Sequence, residues 1–130
     1  MNYSEARVYL LSKPEAIEHF PFGPDVAVMK IRSKMFATLA LAEGQARMNL
    51  KCDPAEAEML RDIFPAVTPG YHMNKRHWNT VELDGSIPDG EIQRMIDSSF
   101  ALVVGGLRLR DRQSLEIAYG TAAIHGKTGG

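Results

Sequence analysis

A chain of 130 residues is long enough to form one globular domain whose core needs neither disulfides nor metals. Its formal net charge of −1 and its pI of about 6.4 argue against a protein that binds nucleic acid with its whole surface, so a nucleic-acid site has to be a local patch. The single cysteine, Cys52, cannot form an internal disulfide, and no apolar run is long enough for a signal peptide or a membrane span; we therefore expect a cytoplasmic protein.

The first half of the sequence predicts one helix and three strands. The helix covers residues 4–13 and ends before a proline. A connector rich in proline and glycine separates it from three strand-like runs, and Glu43-Gly44 form a hairpin turn between the second and the third. These runs cover residues 26–32, 35–41 and 45–52.

Apolar and polar residues alternate in the third run, which is typical of an antiparallel strand with one buried face. The side expected to be buried carries Ala46, Met48, Leu50 and Cys52. The other side carries Arg47, Asn49 and Lys51, and the first run adds Lys30 and Arg32 to the same surface. The sequence therefore predicts a sheet with one polar, locally basic face.

A second helix begins at a strong N-terminal signal. Asp53 is the N-cap, Pro54 occupies the first helical position, and Glu56 completes a capping box. The helix is expected to extend to about Phe64, where a proline ends it. Its predicted apolar stripe consists of Met59, Leu60, Ile63 and Phe64.

The remainder of the sequence predicts two strands and a long helix. A short strand at residues 70–73 is followed by one at 78–83, which ends at the Asp84-Gly85 turn. Residues 86–89 then open a helix with proline and acidic side chains in its first turn. Spacings of three and four give this helix one wide apolar face, formed by Ile92, Met95, Ile96, Ser99, Phe100, Val103 and Leu107.

The element order α-β-β-β-α-β-β-α predicts an α+β domain, built as a two-layer α/β sandwich with an antiparallel sheet. We assign residues 1–107 to this domain. Residues 108–130 are expected to form a C-terminal extension that is helical to about Ala118 and frayed from residue 126 onward.

Two groups of residues resemble the MmcQ/YjbR family. The first group is Pro21-Phe22-Gly23, Val28-Met29-Lys30-Ile31 and Lys34-Met35-Phe36-Ala37. The second is His72, Asn74-Lys75, His77-Trp78, Thr80-Val81, Leu83-Asp84-Gly85 and Ile87-Pro88-Asp89, with Ile92, Asp97 and Ser99 in the helix that follows. Together they span roughly the first four-fifths of the chain. The resemblance implies a CyaY-like (frataxin-like) α/β sandwich, a DNA-binding role and no catalytic residues.

The strongest candidate for a binding site is the segment from Tyr71 to Trp78, which places the only tryptophan among cationic side chains. An aromatic ring can stack on a base while neighbouring cations hold phosphate. If Val81 points toward the helices, Trp78 and Thr80 lie on the opposite face of the sheet. The residues expected to contact nucleic acid are His72, Asn74, Lys75, Arg76, His77 and Trp78, with Arg47 and Lys51 from the neighbouring strand.

Other chemistries have weak support from residue spacing. His72 and His77 are five residues apart and have no cysteine or carboxylate at a recognised ligand spacing, so we predict no metal site and no cofactor. Turn chemistry accounts for Asp84-Gly85, and Ser98 and Ser99 lie within a helix rather than at a nucleophile elbow. We therefore expect no catalytic residues.

Three functions and one structural explanation stay open. The leading hypothesis is a non-enzymatic domain that binds DNA weakly through phosphate contacts and stacking. The second is a protein- or small-ligand-binding module on the same face, which could also be the surface of a homodimer; the near-neutral charge favours it over a general nucleic-acid binder. An enzyme is the third. The structural explanation is that Trp78 packs against Tyr71 or the 65–70 segment, and that the lysines and arginines are ordinary solvated residues.

Overall fold

The computed structural model describes residues 1–126, so the predicted fraying at residues 127–130 lies outside the described residues. The helices are α1 (Tyr3–Leu11), α2 (Pro54–Ile63), α3 (Asp89–Gly105), α4 (Leu109–Tyr119) and α5 (Thr121–His125). The strands are β1 (Ile17–His19), β2 (Val26–Ile31), β3 (Lys34–Ala42), β4 (Gln45–Lys51), β5 (Val67–Pro69) and β6 (Trp78–Glu82). Within residues 1–126, no helix is both long and apolar enough to cross a membrane.

The six strands form one antiparallel sheet in the order β1-β2-β3-β4-β6-β5. Alternate residues of the central strands belong to a core shared with the helices, as Leu39 of β3, Met48 of β4 and Val81 of β6 do. We call this side of the sheet the helix face and the opposite side the open face. The α+β class and the antiparallel sheet predicted from the sequence are confirmed.

The predicted element order was incomplete because it omitted β1, which pairs with β2 over Ile17 to His19, and the separate helix α5. The predicted strand at residues 70–73 was wrong: the strand is β5, and residues 70–73 begin a loop. Arg32 is not part of a strand either. It lies in the turn between β2 and β3, with a φ of 49°.

The predicted apolar stripe of α2 was wrong for two of its four residues. Met59 and Ile63 are 50% and 57% exposed, whereas Ala57 and Leu60 are buried and Phe64 packs partly against the core. Residues separated by three and seven positions share one side of a helix, so α2 is rotated away from the predicted orientation. The long helix α3, in contrast, buries the predicted face, from Ile92 to Val103, with Leu107 buried just beyond its end.

A β-bulge in β3 is held by a serine of α3. Met29 pairs with Ala37 and Lys30 pairs with Met35, so Phe36 has no partner residue in β2. Such an extra residue is left out of the strand ladder. The Ser99 hydroxyl donates to the Phe36 carbonyl oxygen at 2.6 Å and accepts from the Lys51 backbone nitrogen at 2.9 Å. Ser99 is fully buried, and it thereby ties α3 to two adjacent strands at the bulge.

Substituting Ser99→Ala is expected to lower the free energy of unfolding by about 1–3 kcal/mol, because it removes the donor to the buried Phe36 carbonyl oxygen and the acceptor of the partly buried Lys51 nitrogen. Urea denaturation monitored by circular dichroism measures this change. The neighbouring variant Ser98→Ala is the matched control, since Ser98 is half-buried and takes no part in the bulge contact. If both variants lower the free energy of unfolding equally, the hydrogen bonds of Ser99 at the bulge do not contribute to stability.

The C-terminal helices return to the body of the domain. Leu115 of α4 and Ile124 of α5 are almost completely buried within the same core as the sheet. Arg32 in the β2–β3 turn contacts Glu15 at 2.7 Å and Asp111 of α4 at 3.2 Å. The Arg32 guanidinium lowers the pKa of Glu15 from its ordinary value of 4.5. An ion pair thus adds to the apolar contacts that hold α4 in place.

The stabilisation from the Arg32–Glu15 pair should depend on pH. Because the folded-state pKa of Glu15 is lowered, its contribution is present above pH 4.5 and is lost as the pH falls through the folded-state value. We expect Arg32→Gln to destabilise the protein at pH 7 and to have a smaller effect at about pH 3, measured by urea denaturation at both. Arg112→Gln is the control, since among the described residues Arg112 makes no salt bridge. A pH-independent effect of Arg32→Gln would contradict the assignment.

Candidate functional site

The pairing of β4 with β6 places several predicted binding residues side by side on the open face. Lys51 lies opposite Trp78 and Arg47 lies opposite Glu82. Val81 belongs to the core, as the predicted parity requires. The open face near the carboxyl end of β4 therefore carries one lysine and one tryptophan in adjacent strands, and both are half-buried.

Next to this pair lies the loop that joins β5 to β6, here named the 70–77 loop (Gly70 to His77). On the open face, the hydroxyl of Thr80 accepts from the Tyr71 backbone nitrogen at 2.9 Å and donates to the Asn49 side-chain oxygen at 2.6 Å. The Asn49 amide nitrogen in turn lies 3.4 Å from the Tyr71 carbonyl oxygen. Both backbone polar groups of Tyr71 are thus held by side chains of the sheet.

The helix face holds the same loop from the other side. The Arg61 guanidinium of α2 donates to the Lys75 carbonyl oxygen at 2.6 Å and to the Asn79 side-chain oxygen at 2.8 Å. Asn79 is only 2% exposed, and its amide nitrogen donates to the Ala57 carbonyl oxygen at 3.3 Å. Arg61 therefore connects α2, the buried part of β6 and the middle of the loop.

Backbone contacts fix both ends of the loop. The Gly70 backbone nitrogen donates to the Trp78 carbonyl oxygen, and the His77 carbonyl oxygen accepts from Cys52, each at 2.8 Å. A Cβ atom on Gly70 would lie 2.8 Å from the Trp78 Cβ, so this close approach requires glycine. Inside the loop, the Asn74 side chain accepts from the Arg76 backbone nitrogen at 3.0 Å, which forms an Asx turn.

The side chains of the loop, in contrast, are largely free. Tyr71 is 60% exposed, His72, Lys75 and Arg76 are exposed, and the Tyr71 and His72 rings lie 4.1 Å apart between centroids. The Lys75 ammonium donates to the Gly70 carbonyl oxygen at 3.2 Å. Within residues 1–126, neither Lys75 nor Arg76 nor Lys51 forms a salt bridge. The loop therefore presents unneutralised positive charge to the solvent.

A groove of about 540 Å³ lies between the loop and α2. It is lined by Pro54, Ala55, Glu58, Arg61, Lys75 and Arg76. Three of these six residues are cationic and one is acidic, so the groove is suited to an anionic ligand.

The eight residues predicted to bind nucleic acid fall into three groups. Lys75, Arg76 and Lys51 carry the free positive charge, and His72 is exposed beside them. The half-buried residues His77 and Trp78 offer less surface, while Asn74 has a role in the turn. Arg47 lies four residues from Lys51, which is about 13 Å along a strand, and contacts Glu82 at 3.3 Å. The structure therefore does not bring Arg47 into the cluster.

Sequence reasoning missed the roles of Tyr71, Arg61 and Thr80. Tyr71 is the first residue of the predicted binding segment, but the sequence did not show that Thr80 and Asn49 hold its backbone and leave its ring exposed. Arg61 is one basic residue in the last turn of α2, a position that ordinary helix-dipole chemistry explains. No local pattern in the sequence indicates that its side chain reaches the carbonyl oxygen of Lys75.

Residues 1–126 offer neither a group of metal ligands nor an activated thiol. Among residues 1–126, no three histidine, cysteine or acidic side chains are grouped so that they could hold a metal ion. Burial, together with the nearby carboxylates of Glu56 and Asp53, raises the pKa of the Cys52 thiol to about 11. Cys52 therefore remains a thiol at neutral pH, and a thiol is a poor nucleophile.

Comparison with known proteins identifies the family. A family model described as YjbR matches residues 11–102, which include every strand of the sheet and the 70–77 loop. The chain belongs to the YjbR family. The family membership predicted from the two groups of residues is thus confirmed. The match does not include α4 and α5, which lie beyond it.

Individual relatives of this YjbR-family chain agree with that result. The uncharacterised protein YjbR of Escherichia coli K12 is 35% identical over 115 residues, which are 88% of this chain and 98% of the relative. The uncharacterised protein YbdF of Escherichia coli O157:H7 is 39% identical over 94 residues, 72% of this chain and 77% of the relative. Since both relatives are uncharacterised, they assign no activity.

Solved structures show the same fold. A crystal structure of a Deinococcus radiodurans protein with a DUF419 domain has a TM-score of 0.82 at 33% identity, and covers 88% of this chain and 87% of its own. A crystal structure of a Pseudomonas syringae protein has a TM-score of 0.70 at 31% identity, with 78% and 98% covered. The site of this YjbR-family chain therefore lies on a shared sheet.

Removing the Arg61 side chain should release the 70–77 loop. We expect Arg61→Ala to lower the free energy of unfolding by about 1–3 kcal/mol, because the buried oxygen of Asn79 loses its donor. Amide hydrogen exchange should also become faster between residues 71 and 77. Glu58→Ala on the same helix is the control, since Glu58 is exposed and lines the same groove. Unchanged exchange in Arg61→Ala would contradict a role for Arg61 in holding the loop.

Proposed function

We propose that this YjbR-family chain is a small, non-enzymatic cytoplasmic domain of CyaY-like fold that binds nucleic acid, DNA included, at the 70–77 loop. The contacts would be mainly to phosphate groups, from Lys75 and Arg76 with Lys51 and Arg61 nearby. Such contacts carry little sequence information, so binding would be weak, salt-dependent and poor in sequence discrimination.

One observation carries this proposal: the backbone of the loop is fixed from both faces of the sheet while its cationic side chains are left free. Thr80 and Arg61 hold main-chain atoms of the loop, and Lys75 and Arg76 have no carboxylate partner among residues 1–126. A loop already ordered before binding loses little conformational entropy when it binds. Two neighbouring cations without a carboxylate partner, beside a groove that Arg61 also lines, are suited to an anionic ligand.

A binding role has more support than a catalytic one. Around the loop, the side-chain hydrogen bonds of the described residues run to backbone atoms or to amide groups, as those of Arg61 and Thr80 do. None of them joins a nucleophile to a histidine or a carboxylate base. Catalysis by a side-chain nucleophile needs such a pair.

Binding can be tested by titrating labelled single- and double-stranded DNA at low salt. We expect micromolar affinity that falls with salt, with a slope of about −2 in a double-logarithmic plot, since two or three phosphates are contacted. The variant Lys75→Ala/Arg76→Ala should bind about tenfold more weakly or worse. The control Arg110→Ala/Arg112→Ala removes the same charge from α4 and should bind like the unmodified protein.

Two results would contradict the proposal. The first is the absence of binding by the unmodified protein in the micromolar range. The second is an equal loss of affinity in the loop variant and the α4 variant, because a general effect of net charge would then explain all of the binding.

A further inference from the structure

We infer that the 70–77 loop selects unpaired nucleotides, and that the base stacks on the ring of Tyr71 rather than on that of Trp78. This inference rests on the function proposed above and adds to it the class of nucleic acid and the residue that reads it. The phosphate of the same nucleotide is assigned to Lys75 and Arg76.

Tyr71 has a large exposed ring on a fixed backbone. Its side chain is 60% exposed, while its backbone nitrogen and carbonyl oxygen are bound by Thr80 and Asn49 of the open face. Because these contacts use main-chain atoms only, the ring is not needed to shape the loop. The ring of His72, a residue with a φ of 58°, lies 4.1 Å away between centroids and is tilted by 47°, so it covers one side of the Tyr71 ring and leaves the exposed side as an aromatic surface. A base can stack on such a surface whatever its sequence.

The same loop also carries two cations, Lys75 and Arg76. The Lys75 ammonium is 3.2 Å from the carbonyl oxygen of Gly70, the residue that precedes Tyr71. An ammonium group has three donors, so this contact leaves two of them for a phosphate. Arg76 follows in the chain and is exposed. Stacking surface and phosphate contact therefore belong to the same short loop, as recognition of one nucleotide requires.

Trp78, the ring that the sequence favoured, is in a less suitable place. It is half-buried, its backbone is bound to Gly70, and its Cβ atom occupies the space that a side chain at position 70 would need. Tyr71 therefore offers the more accessible ring of the two.

The class of nucleic acid follows from which surfaces a ligand can offer. In a duplex both faces of each base are stacked on neighbours, and a ring such as that of Tyr71 finds no partner. A duplex would engage only the cations, which here are confined to one loop and its surroundings. A single strand can offer a free base and its phosphate together.

Three probes of equal length separate these contributions, each titrated by fluorescence anisotropy against the full chain. They are an oligothymidine of about 12 nucleotides, an abasic strand with the same number of phosphates, and a duplex. We expect the oligothymidine to bind about tenfold more tightly than the abasic strand. Tyr71→Ala should remove this preference and leave abasic binding unchanged, while Tyr71→Phe should retain it. Lys75→Ala/Arg76→Ala should lower the affinity for all three probes.

Each outcome decides between the two proposals. If the unmodified protein binds the abasic strand or the duplex as tightly as the oligothymidine, or if Tyr71→Ala keeps the preference, this inference is overturned and the proposed function stands. If no probe binds in the micromolar range, both this inference and the proposed function are contradicted.

The fluorescence of Trp78, the only tryptophan, gives a second readout. Strong quenching by oligothymidine that persists in Tyr71→Ala would assign stacking to Trp78 and overturn the inference. Unfolding temperatures establish that each variant is folded, and the comparison of probes on the unmodified protein needs no variant.

Discussion

Asn79 is the buried polar residue on which the register of β6 depends, and the candidate site depends on that register. Its oxygen accepts from Arg61 and its nitrogen donates to Ala57, both within α2. A slip of one residue would turn Asn79 to the open face and bring Thr80 into an apolar core, and it would leave several buried polar groups unsatisfied. Apolar contacts are not directional, so they alone would oppose a one-residue slip of the strand less strongly. The hydrogen bonds of one asparagine thus determine that Lys51 lies opposite Trp78.

The loop is ordered by two consecutive strand residues that point in opposite directions. Asn79 acts through Arg61 on the helix face, and Thr80 acts on Tyr71 from the open face. This arrangement separates structure from binding, because the sheet and α2 hold main-chain atoms of the loop, while Lys75 and Arg76 have no carboxylate partner among residues 1–126. Arg47 shows the contrasting case, in which a cation on the same face is paired with Glu82. This partly buried pair leaves little charge on Arg47 for a ligand.

The features that the sequence predicted are those whose cause is local or periodic. The cap at Asp53, the hairpin at Glu43-Gly44, the alternation in β4 and the apolar face of α3 follow from neighbours a few residues apart, and the structure contains each of them. The short strand β1 depends on pairing with β2, and the orientation of α2 depends on how Ala57 and Leu60 meet the core. The same limit applies to the site. The cationic segment was visible in the sequence, but the contacts of Arg61 with Lys75 and of Thr80 with Tyr71 join residues nine or more positions apart.

The hydrophobic core includes residues of the C-terminal helices, which lie outside the match to the family. The match to the YjbR family ends at Leu102, yet Leu115 and Ile124 contribute to the same core, and Arg32 of the matched region contacts Asp111 outside it. The boundary of sequence similarity therefore does not coincide with the boundary of the hydrophobic core. Helices that share a core unfold together with it, so α4 and α5 belong to the cooperative unit of this chain. The effects on stability of substitutions at Arg32 and at Asp111 should consequently not add independently, although only one of the two residues lies within the family match.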